Sequence, residues 1–219
     1  MTESELRQSV VGTVRGWLGA VKGSASHKNI IDTYNTIRPL PRGVRMSDTM
    51  PWCAATVSAA FQAAGLIDLI PPECSCGEMT RQAQARGIWQ ERDDYRPHPG
   101  DICLYDWQDT GTGENTGAPD HVGIVTGVSD VGFTVIEGNK GSPSQVGERS
   151  MAYNGRYIRG FITPNYASKA AQDKPWHQDV MNQAREAGLM DGTRPLDYAT
   201  RAELAAVALR ILAQQNEGR

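Results

Sequence analysis

The chain has 219 residues, of which 39% are hydrophobic and 21% charged, and its formal charge is −3. These values are typical of a globular protein and exclude the disordered, collagen-like and fibrous classes. The mean hydropathy is −0.46, and no apolar run approaches the roughly 18 residues of a membrane-spanning helix. We therefore expect no membrane insertion. The weakly acidic charge offers no basic stripe, so we expect no nucleic-acid partner.

The N-terminal half of the sequence predicts helices. The first ten residues, MTESELRQSV, contain two glutamates and no apolar stretch, so we expect no signal peptide. From Glu3 to about Leu18 apolar residues recur every three or four positions, which predicts an amphipathic helix. A second helix is predicted over 53–64, after the start signal Pro51. Its small and apolar residues suit a buried helix with Cys53 at the N-terminus.

A short polar helix is predicted over 79–87, and the pattern then changes to strands. Four short segments are rich in β-forming residues and bounded by Gly, Pro or Asp: 101–106, 122–126, 132–137 and 157–162. The turn signals at 127–132 allow the second and third strands to pair as a hairpin. Helices followed by strands predict an α+β domain with an antiparallel sheet.

The composition shifts after residue 163, so residues 1–163 are predicted to form the main domain. Residues 164–175 lack periodicity and predict a linker. Within 176–219, two periodic apolar segments and the capping-box sequence Thr200-Arg-Ala-Glu203 predict a helical hairpin. Because two short helices rarely form a sufficient core, we expect this hairpin to dock on the main domain, on another copy or on a target.

The four cysteines predict reduced thiols rather than a disulfide framework. Cys74 and Cys76 lack the nearby histidine or second cysteine pair of a zinc site, so we expect loop packing and no metal. Cys103 lies on a predicted strand and is expected in the core. The remaining histidines lack a motif and are predicted at the surface: His27, His98 and His177.

A set of polar residues fits cysteine nucleophilic catalysis. Such a nucleophile needs a lowered thiol pKa and an imidazole oriented by a third polar group. Cys53 lies at a predicted helix start, His121 opens a strand, and Glu137 and Asn139 close the next strand. If these strands pair, Glu137 or Asn139 reaches the imidazole. Taken singly, each residue also has a structural explanation, since a cysteine in an Ala-rich helix is most often core.

Four blocks follow one another along the chain: Pro51-Trp-Cys-Ala-Ala-Thr-Val-Ser58, Pro99-Gly-Asp-Ile102, Asp120-His-Val-Gly-Ile-Val125 and Val135-Ile-Glu-Gly-Asn139. Together they resemble the CHAP domains of bacteriophage endolysins and bacterial cell-wall hydrolases, relatives of the NlpC/P60 peptidases, over roughly 3–165. The resemblance implies a papain-like α+β fold, with N-terminal helices packed on an antiparallel sheet, and attack of a cysteine on an amide of peptidoglycan. It makes Cys53 the nucleophile, His121 the general base and acid, Glu137 the orienting group and Asn139 a further polar member. No cofactor is implied.

Several CHAP relatives carry a calcium-binding acidic loop near the nucleophile, but residues 42–48 are basic with one carboxylate, so we expect no calcium. Trp52, beside the nucleophile, and Trp107, ahead of a Gly-rich loop, suit a groove for a glycan or stem peptide. Asp106 suits an amine of the stem peptide. Buried packing for Trp52 and a solvated loop end for Asp106 are the structural alternatives.

The C-terminal segment has a separate resemblance. Gly188-Leu-Met-Asp-Gly-Thr-Arg-Pro195 and Thr200-Arg-Ala-Glu-Leu-Ala205 are similar to an S-layer-homology repeat, a module associated with cell-wall attachment. One copy is visible where such domains use several, so wall targeting and homo-oligomerisation both stay open. The polar candidates for either role are Asp191, Arg194 and Arg201.

The resemblances together imply an endolysin-type murein hydrolase whose partner is bacterial peptidoglycan. It would be held in the host bacterial cytoplasm before release and act at the cell wall. N-acetylmuramoyl-L-alanine amidase and peptidoglycan endopeptidase activity both occur on this fold, and the sequence does not choose between them. A catalytically inactive wall-binding protein and a non-wall cysteine hydrolase are the alternative classes.

Overall fold

The computed structural model describes residues 1–172, 183, 185–187 and 207–209. The chain divides into two units, Met1–Ala170 and Ala171–Arg219, and the architecture below is that of the first. The predicted C-terminal hairpin, with Asp191, Arg194 and Arg201, falls almost entirely outside the described residues and stays a prediction. Within the described part of the chain, no helix combines the length and apolarity needed to cross a membrane.

The main unit is an α+β domain, as predicted. Its helices are α1 (Glu3–Arg15), α2 (Ala25–Tyr34), α3 (Cys53–Ala63), α4 (Cys76–Ala85) and α5 (Tyr166–Gln172). Its strands are β1 (Trp89–Gln90), β2 (Ile102–Tyr105), β3 (His121–Val128), β4 (Gly132–Lys140), β5 (Gln145–Ala152) and β6 (Ile158–Ile162). They form one antiparallel sheet in the order β1-β6-β2-β3-β4-β5.

Helix α1 is fixed at its N-terminus by a capping box. The Thr2 hydroxyl accepts the Glu5 N–H at 3.2 Å, and the Glu5 carboxylate accepts the Thr2 N–H at 2.8 Å. Two N–H groups that the helix itself cannot pair are thereby satisfied. The apolar stripe predicted from the sequence is the buried face, with Leu6, Val10 and Val14 at most 2% exposed.

Helix α3 forms the centre of the core. Nine of its eleven residues are buried, as expected for a helix that is apolar on nearly all sides. It packs against β3 and β4 on one side and α2 on another. The close approach to β4 depends on Gly138, because a Cβ there would overlap the Thr56 hydroxyl of α3. The start of α3 is thereby held against the two strands that carry His121 and Glu137.

Strands β3 and β4 form the predicted hairpin, with Ile124 opposite Ile136 and Val125 opposite Val135. Continuing this register places His121 opposite Asn139 and diagonal to Glu137. Diagonal neighbours on one face of a sheet are within reach of long side chains. The sheet therefore brings the imidazole and the carboxylate together.

The structure adds elements that the sequence pattern did not reveal. Helix α2 and the short strand β1 were not predicted, and β5 was missed because its sequence, QVGERSMA, has no apolar run. Helix α4 begins at Cys76 rather than Met79. The surface prediction for His27 is wrong: the ring is fully buried, with its centroid 4.4 Å from that of Trp52. Cys103 is buried, as predicted, and His98 is exposed.

Candidate active site

Cys53 is the first residue of α3 and is 7% exposed. The N–H groups of a first helical turn have no intrahelical acceptor and favour a nearby negative charge. The Cys53 Sγ lies 3.8 Å from the Cys76 Sγ. Hydrogen bonding from Cys76, and then from His121, holds the pKa of the Cys53 thiol well below its usual range despite burial. Cys53 therefore has the character of a thiolate.

His121 is the first residue of β3 and is 8% exposed. Its Nε2 lies 3.2 Å from Oε2 of Glu137. Burial disfavours the charged ring, but hydrogen bonds to Cys53 and Glu137 outweigh it and raise the pKa of His121 to about 9. The thiol and the imidazole thus favour a thiolate–imidazolium pair at neutral pH.

Glu137 is fully buried in β4 and is held from two sides. Arg149 donates from Nε to Oε1 at 2.6 Å and from Nη2 to Oε2 at 3.1 Å. His121 contacts the same Oε2. Burial would raise the pKa of Glu137, but these two partners lower it. The carboxylate consequently stays ionised and fixes the orientation of the imidazole.

Asn139 has a different neighbour from Glu137. Its Oδ1 accepts the Ser144 hydroxyl at 2.8 Å, and the Ser144 oxygen accepts the Trp52 indole N–H at 3.0 Å. Trp52 directly precedes Cys53 in the chain. The hydrogen bonds of Asn139 thus connect it to the backbone entering α3 rather than to the imidazole. Its catalytic role stays a prediction.

A half-exposed aromatic surface lies beside the imidazole. Trp107 stacks on Tyr105 with ring centroids 4.8 Å apart and planes 11° from parallel. The Trp107 and His121 centroids are 6.0 Å apart. Arg149 Cζ lies 4.7 Å from the centre of the Trp107 ring, so one guanidinium contacts both the tryptophan and Glu137. The predicted position of Trp107 at a substrate groove is consistent with this geometry.

Two predicted substrate contacts need correction. Trp52 is fully buried, with its ring against His27 of α2 and its N–H on Ser144, so its side chain cannot line a groove. Asp106 is 5% exposed. Its Oδ1 accepts the Gln108 N–H at 2.9 Å and its Oδ2 packs against Gly117. Both side chains hold local structure and are not available to a substrate.

Two residues of the site were not predicted from the sequence. Cys76 was expected to pack in a loop, but it begins α4 and contacts the nucleophile candidate. The sequence Ser75-Cys-Gly-Glu78 resembles a capping box, and the Ser75 hydroxyl does accept the Glu78 N–H. That pattern was a usable signal for a helix start at Cys76. Arg149 lies on the missed strand β5, and no local pattern indicated its ion pair with Glu137.

The arrangement is suited to acyl transfer. It combines a thiolate at a helix start, an imidazolium next to it and an ionised carboxylate behind the imidazole, which are the parts of a cysteine nucleophile system. As the first residue of α3, Cys53 has a backbone N–H without an intrahelical acceptor, and such a group is suited to stabilise an oxyanion. Among the described residues, no group of three or more His, Cys, Asp or Glu side chains is arranged to hold a metal ion.

Comparison with known families gives a match to part of the chain. Residues 45–139 match the CHAP domain family, and this segment contains Cys53, His121, Glu137 and Asn139. The match supports a hydrolase of the CHAP peptidoglycan hydrolase family, whose domains typically act on peptidoglycan. No curated relative matches the chain, and no solved structure matches it.

Proposed function

We propose that this protein hydrolyses an amide bond of bacterial peptidoglycan with Cys53 as the nucleophile. The observation that carries the proposal is the buried His121–Glu137 contact of 3.2 Å, together with the lowered pKa of Cys53 at the start of α3, inside the segment that matches the CHAP domain. An inactive wall-binding protein would not need an ionised, Arg-paired carboxylate behind an imidazole. The intact set therefore favours an enzyme over the binding-protein alternative.

The reaction follows from the protonation states. The Cys53 thiolate attacks the amide carbonyl carbon, and the Cys53 N–H at the helix start stabilises the oxyanion of the tetrahedral intermediate. The His121 imidazolium protonates the leaving amine, which departs and leaves a thioester on Cys53. The neutral imidazole then takes a proton from water. The resulting hydroxide attacks the thioester and releases the carboxylic acid and the Cys53 thiolate.

Substrate binding is proposed at the aromatic surface beside the imidazole. Trp107 is half-buried, stacked on Tyr105 and 6.0 Å from the His121 ring, so its position is fixed before substrate arrives. A rigid indole face is suited to packing against the apolar face of a sugar or a stem-peptide methyl group. The cleaved amide is either the N-acetylmuramoyl-L-alanine bond or a peptide bond of the stem or cross-link.

The biological setting is a further part of the proposal. An endolysin-type hydrolase held in the host cytoplasm before release would use residues 176–219 for wall targeting or self-association, as their S-layer-homology resemblance suggests. Full-length Cys53→Ala protein should sediment with purified sacculi. Combined substitution of Asp191, Arg194 and Arg201 by alanine should weaken that binding. If the triple variant sediments equally and retains its oligomeric state, these residues have neither role.

The test of the activity is clearance of purified sacculi, followed by turbidity. Wild-type protein should clear them, while Cys53→Ala and His121→Ala should not. Cys74→Ser is the matched control, since Cys74 is half-buried near Arg42 rather than at the nucleophile, and it should clear at the wild-type rate. Full clearance by Cys53→Ala would refute the proposed nucleophile. Failure of wild type on sacculi of several chemotypes would favour the non-wall hydrolase or binding-protein class.

A further inference from the structure

Cys53 has a second thiol as its neighbour. The Cys53 and Cys76 sulfurs are 3.8 Å apart, both residues are buried, and neither is in a disulfide. Each is the first residue of a helix, α3 and α4 respectively. Two helix N-termini therefore converge on one pair of sulfurs, where their N–H groups stabilise negative charge. The hydrolysis mechanism described above assigns no step to Cys76.

We propose that Cys53 and Cys76 form a redox-active dithiol that hydroperoxides convert into a reversible intramolecular disulfide, which switches hydrolysis off. The loss of hydrolysis rests on the proposed function, whereas formation of the disulfide does not. The sulfurs are already in contact, and bonding requires them to close to about 2.05 Å. The reagent class is a small hydroperoxide, because Cys53 is only 7% exposed.

The oxidation needs only the two cysteines, His121 and the hydroperoxide. The Cys53 thiolate attacks the outer oxygen of ROOH, and the His121 imidazolium protonates the departing alkoxide to give ROH and a Cys53 sulfenic acid. The Cys76 sulfur then attacks the Cys53 sulfur, and its proton leaves with the hydroxyl group as water. In total, two thiols and ROOH give one disulfide, ROH and H₂O. The thiols lose two electrons and the peroxide gains them.

The order of the two steps follows from charge. The Cys53 thiolate and burial raise the pKa of Cys76, so Cys76 is protonated while Cys53 is reduced and does not compete for the peroxide. Once Cys53 is a neutral sulfenic acid, that neighbouring charge is gone and Cys76 is free to resolve it. Cys53 is thus the peroxidatic thiol and Cys76 the resolving thiol.

The other cysteines lie in different surroundings. Cys74 Sγ is 3.8 Å from the Arg42 guanidinium, and Cys103 is fully buried on β2 with its sulfur toward the Leu104 carbonyl. Cys74→Ser is therefore a matched control for Cys76→Ser, two positions away. Cys103 serves as an internal reference that should remain a thiol in the folded protein.

The experiment treats full-length protein with a small excess of hydrogen peroxide, blocks free thiols under denaturing conditions and maps the peptides by mass spectrometry. Wild type and Cys74→Ser should lose the mass of two hydrogen atoms and yield a Cys53–Cys76 cross-linked peptide. Their clearance of sacculi should fall to the level of Cys53→Ala and return on treatment with dithiothreitol. Cys76→Ser should instead form sulfinic or sulfonic acid at Cys53 and stay inactive after reduction.

A second measurement uses only wild-type protein, so its result does not depend on whether Cys76→Ser folds. Phenylarsine oxide bridges two adjacent thiols, and it should bind Cys53 and Cys76 so that excess monothiol does not displace it but a dithiol does. Absence of the cross-linked peptide, a link through Cys74, or ready displacement of the arsenical by monothiol would overturn the proposal. If the disulfide forms but reduced wild type does not cleave sacculi, the proposed function fails and the dithiol stands.

Discussion

The guanidinium of Arg149 and the carboxylate of Glu137 are joined by two hydrogen bonds, of 2.6 and 3.1 Å, on the face of the sheet behind the imidazole. The carboxylate is fully buried, whereas the arginine side chain is 32% exposed and also contacts the Trp107 ring. Arg149 therefore links the group that orients His121 to the proposed substrate surface. In the proposed mechanism it is a positioning residue, since it would act on the reacting atoms through Glu137.

Replacing Arg149 should test this link. Arg149→Met removes a cation that lowers the pKa of Glu137, so the carboxylate should become protonated at a higher pH. The acid limb of the plot of kcat/KM against pH should therefore shift to higher pH. Loss of a charged partner should also reduce stability by about 1–3 kcal/mol. Arg149→Lys should restore part of both properties. The exposed Arg81→Met is the control, and an unchanged pH profile in Arg149→Met would contradict the assigned role.

The thiolate–imidazolium pair predicts the pH dependence of hydrolysis. The lowered pKa of Cys53 keeps its thiolate populated below the usual range of a thiol. The raised pKa of His121, about 9, keeps the imidazole protonated at neutral pH, so that it can donate a proton to the leaving amine. Activity should hold from below neutral pH and fall as pH rises through about 9, because His121 then loses its proton.

The same pair can be observed without substrate. The rate at which iodoacetamide alkylates Cys53 reports the thiolate fraction. In wild type, rapid alkylation of Cys53 should persist into the acidic range. In His121→Ala, the midpoint of the plot of alkylation rate against pH should move to higher pH, because a charge that stabilises the thiolate is lost. A midpoint near the ordinary thiol value in wild type would contradict the ion pair.

Trp107 should contribute mainly to substrate binding. Trp107→Ala removes a half-exposed aromatic face and should raise KM for soluble muropeptides by roughly two- to tenfold, since an aromatic contact is worth about 0.5–1.5 kcal/mol. Trp107→Phe keeps a ring on Tyr105 and should recover most of the loss. Because the Trp107 ring does not hold the Glu137 carboxylate, kcat should change less than KM. A fall confined to kcat would place Trp107 in positioning rather than binding.

Gly138 should be intolerant of a side chain. A Cβ there overlaps the Thr56 hydroxyl, so Gly138→Ala must push α3 away from β4 and separate Cys53 from His121. Overpacking of this kind reduces the free energy of unfolding by about 1–3 kcal/mol. The rate of hydrolysis per folded molecule should also fall, because the site itself is displaced. Gly12→Ala is the control, because nothing lies within 4 Å of the added carbon. A fully active Gly138→Ala protein would contradict this close packing.

The sequence predicted those parts of the molecule that local pattern determines. The buried helix at Cys53, the hairpin between the His121 and Glu137 strands and the antiparallel sheet follow from periodicity and turn signals. The polar edge strand β5 and helix α2 lack such a signal and depend on tertiary packing. The same limit applies to the site.

Side-chain contacts between segments far apart in the chain could not be predicted from local sequence patterns. Glu137 was predicted to reach the imidazole because both strands belong to one hairpin. Its second partner, Arg149, lies on the missed strand, and Cys76 meets Cys53 only because α4 folds back against the start of α3. Trp52 was misassigned because adjacency to a nucleophile does not specify on which side of the helix start a ring packs.

The most direct test of Cys53-dependent amide hydrolysis is mass spectrometry of the fragments released from purified sacculi by wild type and by Cys53→Ala. Wild type should release fragments in which one amide has gained water, giving a new amine and a new carboxylate, at a rate at least about 10³ times that of Cys53→Ala. A free N-terminal L-Ala stem would identify an amidase, and a cut within the stem or cross-link an endopeptidase. The same fragments at equal rates from Cys53→Ala, or none from wild type, would contradict the account.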